Sequence, residues 1–227
     1  MSMLRPLRLV LLGAPGSGKG TQTSKLLKEF GSIKSISSGD LLRKQIELAT
    51  PLGLKASSYI SQGQLLPDSL ITGVIGDELK SRDLLTSKAS WLLDGFPRTV
   101  GQAGALDKYL STHDAALNLV VELDVPHEVI LNRIENRYVH VPSGRVYNLE
   151  YNPPKVAGKD DITGEPLSKR PDDTAEVFGK RLEQYKQTVT PLKEHYAKQG
   201  ILSTVSGTTS DIIYPKLVTL ILQKFAR

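Results

Sequence analysis

The stretch "LVLLGAPGSGKGTQ", residues 9–22, decides the fold. Its apolar run ends at Gly13 and is followed by a glycine-rich turn around a single lysine, Lys19. A buried strand, such a turn and a helix together direct several backbone N–H groups toward one point, and this arrangement binds phosphate. Gly20 stands where the usual phosphate-loop pattern has a hydroxyl that binds magnesium. The sequence therefore predicts a phosphate loop that lacks this metal ligand.

The predicted phosphate-binding residues are Gly16, Ser17, Gly18, Lys19, Gly20 and Thr21. Glycine permits close backbone approach, and Lys19 supplies a mobile positive charge for the β- and γ-phosphates. A tight turn without a ligand explains the glycines but not the lysine. Because Gly20 has no side-chain oxygen, magnesium would be held by the nucleotide, water or Thr21, and a distant carboxylate. Asp94, at the end of "WLLD", is the candidate carboxylate; the alternative is that it caps the following turn.

Strand-like apolar runs alternate with helical patterns along the chain. The runs are "LRLVLL", "IKSIS", "WLLDG", "LNLVVELDV" and "GILSTVS", and the last precedes a helix over about 210–225. This alternation predicts an α/β fold with a parallel sheet covered by helices on both faces. Ligands then bind at the carboxyl ends of the strands.

Two segments interrupt the alternation. Residues 40–82 carry several helical segments between two strands, which indicates a helical insertion. Residues 138–175 are dense in proline, glycine and aspartate and contain the hairpin-like "GRVYNLEY". A long irregular segment inside a compact domain is typical of a lid over a binding site.

Composition excludes several classes of protein. The chain has 227 residues, 39% of them hydrophobic and 23% charged, with no cysteine and a net charge of +5. These values describe a globular protein without disulfides or thiolate metal sites, and no apolar stretch approaches a membrane span. Basic residues are scattered among few aromatics, so nucleic acid is not an expected partner. The acid-free start "MSMLRPLRLV" is either an uncleaved mitochondrial import signal or an ordinary terminus.

Five motifs in order resemble those of adenylate kinases with a long lid. They are "GAPGSGKGT" (13–21), "SSGDLLR" (37–43), "LLDGFPRT" (92–99), "HVPSGRVYN" (140–148) and "DDITGEPLSKRPDD" (160–173). The resemblance implies the three-layer P-loop nucleoside monophosphate kinase fold, with a helical AMP-binding insertion and a small β-rich lid. It divides the chain into a core over 1–36, 67–137 and 176–227, an insertion over 37–66 and a lid over 138–175.

The resemblance also implies a reversible, Mg²⁺-dependent transfer of a phosphoryl group from a nucleoside triphosphate to AMP, catalysed by a monomer. Within the family, the sequence is most similar to members of the mitochondrial matrix that prefer GTP, and ATP is the alternative donor. Two other interpretations stay open: a kinase for UMP, CMP or GMP, and a nucleotide-binding protein without catalytic activity. An acceptor panel separates the first, and an assay for ADP formation separates the second.

Arg133 and Arg137 are four residues apart and are predicted to share one helix face. Six arginines in total lie at positions that match the motifs of the family. They are Arg43, Arg98, Arg133, Arg137, Arg170 and Arg181. The resemblance implies that Arg43, Arg98, Arg170 and Arg181 bind the AMP phosphoryl group and that Arg133 and Arg137 bind the donor. Planar, permanently charged guanidinium groups suit phosphate. Lys19, Arg98, Arg133, Arg170 and Arg181 are the expected catalytic set.

The remaining AMP-site residues implied by the resemblance are Ser38, Gln64, Leu65, Leu66, Gly95, Phe96, Pro97 and Gln102. The carboxamide of Gln102 offers one donor and one acceptor to the Watson–Crick edge of adenine. A flipped amide faces guanine equally well, so this residue alone does not choose the base. The expected contacts of the donor base are Arg137, Val146, Tyr147 and Thr209.

Some relatives hold the lid with zinc, and the corresponding positions here are His140, Ser143, Asp160 and Thr163. One imidazole, one carboxylate and two hydroxyls make a poor zinc site. The sequence predicts a hydrogen-bonded cluster and no zinc.

Overall fold

The computed structural model describes residues 4–170 and 173–226. Its main sheet has five parallel strands in the order β2-β3-β1-β4-β7, and two further strands, β5 and β6, pair antiparallel in the segment predicted as a lid. The strands are β1 (Arg8–Leu12), β2 (Lys34–Ser37), β3 (Trp91–Asp94), β4 (Leu119–Asp124), β5 (Arg137–His140), β6 (Arg145–Asn148) and β7 (Leu202–Ser206). The predicted parallel α/β sheet is confirmed.

Eight α-helices lie within the described ranges: α1 (Lys19–Glu29), α2 (Ser38–Glu47), α3 (Pro51–Ser61), α4 (Asp68–Ser81), α5 (Val100–Ser111), α6 (His127–Glu135), α7 (Ala175–Lys198) and α8 (Ser210–Phe225). Five of them begin after a serine or threonine whose hydroxyl accepts a hydrogen bond from the first turn. Such caps satisfy backbone N–H groups that have no partner within the helix. The first residues of these five helices are therefore determined by the local sequence.

The hydrophobic core lies in two layers, one on each face of the sheet. On β1, Leu9 and Leu11 pack into the layer beneath α1, α6 and α8, whereas Val10 and Leu12 pack into the layer beneath α4 and α5. Successive strand side chains point to opposite faces, so one apolar run serves both layers. The result is the expected three-layer arrangement.

The phosphate loop leaves β1 at the centre of the sheet. Strand β1 lies between β3 and β4, and Leu11 of β1 is in register with Asp94 of β3. Neighbouring strands of a parallel sheet end at one edge, and ligands of such sheets bind there. Asp94 is thus placed beside the loop that follows Leu12.

The lid segment is built on the β5–β6 hairpin. A short 3-10 turn, Val141–Ser143, joins the strands, and isolated bridges tie Val139 to Ser168 and Lys159 to Pro166. The stretch "GRVYNLEY" supplies only the second strand, because its partner, β5, precedes it. Pro171 and Asp172, which fall in the predicted lid and in its last motif, lie outside the described residues.

The prediction that Arg133 and Arg137 share a helix face is wrong. Helix α6 ends at Glu135, Asn136 caps it, and Arg137 is the first residue of β5. The strand-favouring Tyr138 and Val139 pair across the hairpin and terminate the helix. A four-residue spacing indicates a shared face only where the helix continues.

The first described residues pack against the end of the chain. Leu4 forms a bridge with Ala226, and the backbone N–H of Arg5 donates to the carbonyl of Phe225 at 2.8 Å. Residues 1–3, part of the stretch that is either an import signal or an ordinary terminus, lie outside the described ranges, and so does Arg227. Within those ranges, every helix is too short or too polar to cross a lipid bilayer.

Candidate active site

The phosphate loop has the backbone that its glycines allow. Gly16 and Gly18 have φ of +82° and +92°, in the left-handed region that favours glycine. A Cβ at Gly16 would also lie 3.0 Å from the side chain of Ile130. Gly18 caps α1, and Lys19 opens that helix, so its N–H groups face the loop interior. This geometry suits an anion.

Lys19 is held over the loop. Its ammonium group donates to the carbonyls of Gly13 at 2.7 Å and Ala14 at 2.9 Å. Burial lowers the pKa of Lys19 to about 8, Asp94 opposes that shift, and the charge of Arg98 adds to it. Arg181 and Arg137 act in the same direction. A site with this excess of positive charge is matched by a polyanion.

Asp94 provides a carboxylate at the same point. A Cβ at Gly20 would lie 3.8 Å from its Oδ2, so the carboxylate faces the first turn of α1. Burial raises the pKa of Asp94, and Lys19 opposes that shift. A carboxylate is a suitable ligand for a hard cation such as Mg²⁺. The described residues contain no cluster of three or more metal-ligating side chains, so phosphates and water would complete the coordination.

Two of the predicted arginines, Arg43 and Arg137, lie within electrostatic range of a third, Arg170. Burial lowers the pKa of Arg170 to about 10, and the charges of Arg43 and Arg137 add to that effect. Arg137 forms a two-bonded ion pair with the buried carboxylate of Asp173, with 2.7 Å from its Nε to Oδ2. Arg43 pairs with Asp40. Although Arg137 does not share a helix face with Arg133, it is within electrostatic range of Lys19.

Arg133 connects three parts of the site. Its guanidinium donates to the carbonyl of Ser17 at 3.2 Å and to that of Thr208 at 2.8 Å, and it lies 5.5 Å from the ring centre of Tyr151. Burial lowers its pKa. Arg133 therefore links the phosphate loop, the loop before α8 and the lid, on the side predicted for the donor.

A pocket between the insertion and the core contains most of the residues predicted for AMP. The predicted residues that line it are Ser38, Arg43, Gln64, Leu65, Leu66, Gly95, Arg98, Gln102 and Arg181. Phe96, Pro97 and Arg170 do not line it, and Phe96 is buried in the core. Gly39, Leu42, Ile60, Gly63 and Ile71 also line it and were not predicted. Leu42, Ile60 and Ile71 are apolar residues on helices. Their pattern in the sequence indicates that they are buried, but it does not show whether they line a pocket or pack in the core.

Gly95 sets the floor of this pocket. The hydroxyl of Ser38 donates to the Gly95 carbonyl at 2.8 Å, and Nε of Arg98 donates to the same oxygen at 2.7 Å. Gly95 has φ +78°, and a Cβ there would lie 2.9 Å from Oγ of Ser38 and 3.1 Å from Nη2 of Arg98. The glycine therefore allows both side chains to converge on one carbonyl.

We expect Gly95→Ala to raise the KM for AMP about tenfold or more, because the methyl group displaces Ser38 and Arg98 and the left-handed backbone is strained. Steady-state kinetics with AMP as the varied substrate measure this. The matched control is Gly104→Ala, since nothing lies within 4 Å of a Cβ at that helical position. A KM unchanged in Gly95→Ala would show that the neighbouring side chains adjust without loss.

The residues predicted to contact the donor base differ in what their side chains do. The hydroxyl of buried Tyr147 donates to Asp160 at 2.8 Å and accepts from the N–H of Asp161, so this side chain points into the lid. Because this side chain is buried and its hydroxyl is already hydrogen-bonded, only the backbone of Tyr147 remains to contact the base of the donor nucleotide. The hydroxyl of Thr209 caps α8 through the N–H of Ile212, and Val146 is partly buried.

The predicted hydrogen-bonded cluster is present in the lid. Nδ1 of His140 lies 2.7 Å from Oγ of Ser143, and the hydroxyl of Thr163 lies 3.3 Å from Nε2 of His140 and donates to Asp160 at 3.0 Å. Glu165 also contacts Nε2 of His140, at 2.6 Å. Asp160 accepts from Arg145, which holds the pKa of that carboxyl well below its usual range.

We expect no stoichiometric zinc in the purified protein, because these groups already satisfy one another and offer a poor ligand set. Inductively coupled plasma analysis of protein expressed with added zinc measures the metal content per chain. One zinc per chain that survives dialysis against a chelator would contradict this prediction.

The sequence is similar to known proteins over nearly its whole length. Residues 11–201 match the family model described as "Adenylate kinase". A "GTP:AMP phosphotransferase, mitochondrial" of Saccharomyces cerevisiae is 67% identical over 98% of this chain and 95% of its own. The Drosophila melanogaster protein of the same name is 44% identical, over 92% and 93%. An "Adenylate kinase" of Thermodesulfovibrio yellowstonii is also 44% identical, over 96% and 100%.

Proposed function

Because this chain belongs to the adenylate kinase family, we propose that it transfers the γ-phosphoryl group of GTP to AMP in a reversible, magnesium-dependent reaction. The products are GDP and ADP. ATP is the alternative donor. One observation carries the proposal: the ammonium group of Lys19 is held on the loop by the carbonyls of Gly13 and Ala14, and three arginines lie within electrostatic range of it, namely Arg98, Arg137 and Arg181.

The chemistry of phosphoryl transfer explains why cations dominate this site. The transferred group needs positioning, charge neutralisation and protection from water more than it needs covalent help. An oxygen of the AMP phosphate is already an anionic nucleophile, so no general base is required. A ring of guanidinium groups therefore provides the kind of catalysis that the reaction uses.

We assign the acceptor and donor phosphates to opposite sides of the ring. Arg43, Arg98 and Arg181 line the pocket between the insertion and the core, which we assign to AMP. The phosphate loop with Lys19 and Arg133 takes the donor polyphosphate. Arg170, with its neighbours Arg43 and Arg137, bridges the two and stabilises the charge of the transition state. A magnesium ion bound with the nucleotide would neutralise phosphate charge, and Asp94 would be the protein carboxylate that helps to hold it.

We propose that residues 138–175 act as a lid and residues 37–66 as a mobile insertion on a core formed by 1–36, 67–137 and 176–227. The lid and the insertion approach each other at Gly144, where a Cβ would lie 3.6 Å from Oδ2 of Asp40. Closure over both nucleotides would exclude water, which competes with AMP for the phosphoryl group. We propose that the enzyme acts as a monomer, since one chain supplies every group that the reaction needs.

The identity of the preferred donor, GTP and not ATP, is supported by the relatives of this chain. Two relatives that are both 44% identical to this chain carry different names, one a GTP:AMP phosphotransferase and the other an adenylate kinase, so identity at that level does not indicate the donor. A relative named as a GTP:AMP phosphotransferase is 67% identical. The higher identity supports GTP. The same relative is named as mitochondrial, and we propose the mitochondrial matrix as the compartment.

Initial rates with GTP, ITP or ATP as donor and AMP as acceptor test the proposal. We expect ADP to form with GTP at a higher kcat/KM than with ATP, and ITP to resemble GTP because both bases carry a carbonyl at C6. A panel of UMP, CMP and GMP with GTP as the fixed donor tests the acceptor. Preference for ATP would make the protein an ATP:AMP kinase, and a failure to form ADP with any donor would overturn catalysis.

A further inference from the structure

A carboxylate that the reaction above does not use lies next to the acceptor pocket and contacts Gln102, one of the residues that line it. Asp68 is the first residue of α4, and its Oδ2 accepts a hydrogen bond from the hydroxyl of Thr99, the residue that caps α5. Its Oδ1 accepts from Nε2 of Gln102 at 2.9 Å. A Cβ at Gly101 would lie only 2.3 Å from Oδ2, so glycine there permits the contact. One carboxylate thus joins the N-termini of two helices.

Gln102 is fixed between two groups of opposite hydrogen-bonding character. It is 2% exposed, and its Oε1 accepts from the backbone N–H of Arg98 at 2.7 Å, while its Nε2 donates to Asp68. A backbone N–H can only donate and a carboxylate can only accept. Rotating the amide by 180° would oppose donor to donor and acceptor to acceptor. The sequence leaves the orientation of this amide open, and these two neighbours define it.

The fixed amide retains the capacity to read a base. One hydrogen on Nε2 and one lone pair on Oε1 remain, and Gln102 lines the acceptor pocket. Adenine offers a donor at its 6-amino group and an acceptor at N1, which complements this arrangement. Hypoxanthine has nearly the same shape but reverses both groups, with a carbonyl at C6 and a hydrogen on N1. It would require the opposite orientation of the amide.

We propose that Asp68 is a positioning residue for acceptor specificity: by fixing the amide of Gln102, it makes the pocket select a 6-amino purine over a 6-oxo purine. This inference rests on the proposed function, namely that the pocket takes AMP. Asp68 does not touch the phosphates in this assignment. It therefore acts on the choice of base and not on phosphoryl transfer.

The test compares AMP and IMP as acceptors for the wild-type protein and for Asp68→Asn. Asparagine has nearly the same size but presents either oxygen or nitrogen, so both orientations of Gln102 become accessible. We expect the ratio of kcat/KM for AMP to that for IMP to fall about tenfold or more, since the flipped amide no longer loses a hydrogen bond to a charged group. With saturating AMP, kcat should stay within about threefold of wild type, because the phosphate-binding groups are unchanged. Asp77→Asn, exposed on the same helix, is the matched control and should keep the wild-type ratio.

A second variant covers the case in which Asp68→Asn fails to fold. Gly101→Ala displaces the carboxylate without removing its charge, and it should lower the AMP to IMP ratio in the same direction. Gly104→Ala on the same helix is its control. Calorimetric titration with each monophosphate gives the ratio of binding constants without turnover.

The outcomes separate this inference from the proposed function. A folded Asp68→Asn protein, or a folded Gly101→Ala protein, with an unchanged ratio would overturn the role of Asp68, as would an equal loss for both acceptors. A wild-type protein that does not phosphorylate or bind AMP would instead overturn the assignment of the pocket.

Discussion

Replacing Lys19 with methionine is expected to lower kcat about a thousandfold, because a charge aimed at the transferring phosphoryl group is lost from a site that excludes water. The folded protein should nevertheless persist. Lys19 donates hydrogen bonds to the loop carbonyls of Gly13 and Ala14, and burial and three neighbouring arginines oppose its charge more than Asp94 favours it. Coupled assay of ADP formation measures the first effect, and circular dichroism the second.

The same substitution should change how stability depends on pH. Burial, with the charges of Arg98, Arg181 and Arg137, lowers the pKa of Lys19 from 10.5 to about 8. Between these pH values the unfolded chain holds a proton that the folded protein has released, so folding stability rises with pH in this window. Below pH 8 both states hold the proton, and the cost of burying the charge is present in full. Relative to the methionine variant, the wild type should gain up to about 3 kcal/mol between pH 7 and 10.5.

Urea unfolding of both proteins at pH 7, 8.5 and 10 measures this difference. Lys28→Met, exposed on the last turn of α1, is the matched control and should leave both kcat and the pH dependence close to those of wild type. A wild-type to Lys19→Met difference that does not change with pH would mean that the ammonium is solvated as well in the folded protein as in the unfolded chain. Near-normal kcat in the variant would remove Lys19 from the catalytic set.

The phosphate loop was predictable from sequence because its function depends on backbone geometry that only certain residues permit. Gly16 and Gly18 adopt the left-handed conformation that the pattern predicts, and Lys19 opens α1. The strands and the parallel sheet follow from local hydrophobic patterns as well. These features depend on residues that are neighbours in the chain.

Some features that depend on tertiary contacts were predicted wrongly or missed. Spacing placed Arg133 and Arg137 on one helix, but pairing within the lid begins a strand at Arg137. Tyr147 lies in a predicted donor motif, but its hydroxyl is used by Asp160 inside the lid. In neither case does the local pattern reveal the long-range partner.

The acceptor pocket shows the same limit. Gln102 was assigned to the AMP site, but its orientation depends on Asp68, 34 residues away in sequence. Asp68 looks like an ordinary first-turn acid on α4, where negative charge is favourable for any helix. Only the approach of α4 to α5 gives that carboxylate a second role. Motifs in the sequence thus indicate the groups proposed to bind the phosphates more readily than the contacts proposed to select a base.

Arg170→Ala is the second substitution with a large expected effect, a fall in kcat of about a thousandfold with much smaller changes in the binding of AMP or GTP alone. Arg170 lies within electrostatic range of Arg43 on α2 and of Arg137 at the start of β5. From this position it can contact a phosphoryl group in transit between two nucleotides. Steady-state rates give kcat, and calorimetry with each nucleotide gives the two ground-state affinities.

Burial and neighbouring cations lower the pKa of Arg170 to about 10, so the free protein holds this charge at a cost. Arg170→Ala should therefore unfold at the same temperature as the wild type or higher, which excludes misfolding as the cause of lost activity.

Arg82→Ala, on the opposite end of α4 from the pocket, is the control for loss of an arginine and should keep full activity. Arg170→Lys retains a positive charge without the planar fork and should recover little of the rate. If Arg170→Ala instead raised the KM for AMP and left kcat unchanged, the guanidinium would belong to ground-state binding, and Arg137 would be the remaining candidate to bridge the two phosphates.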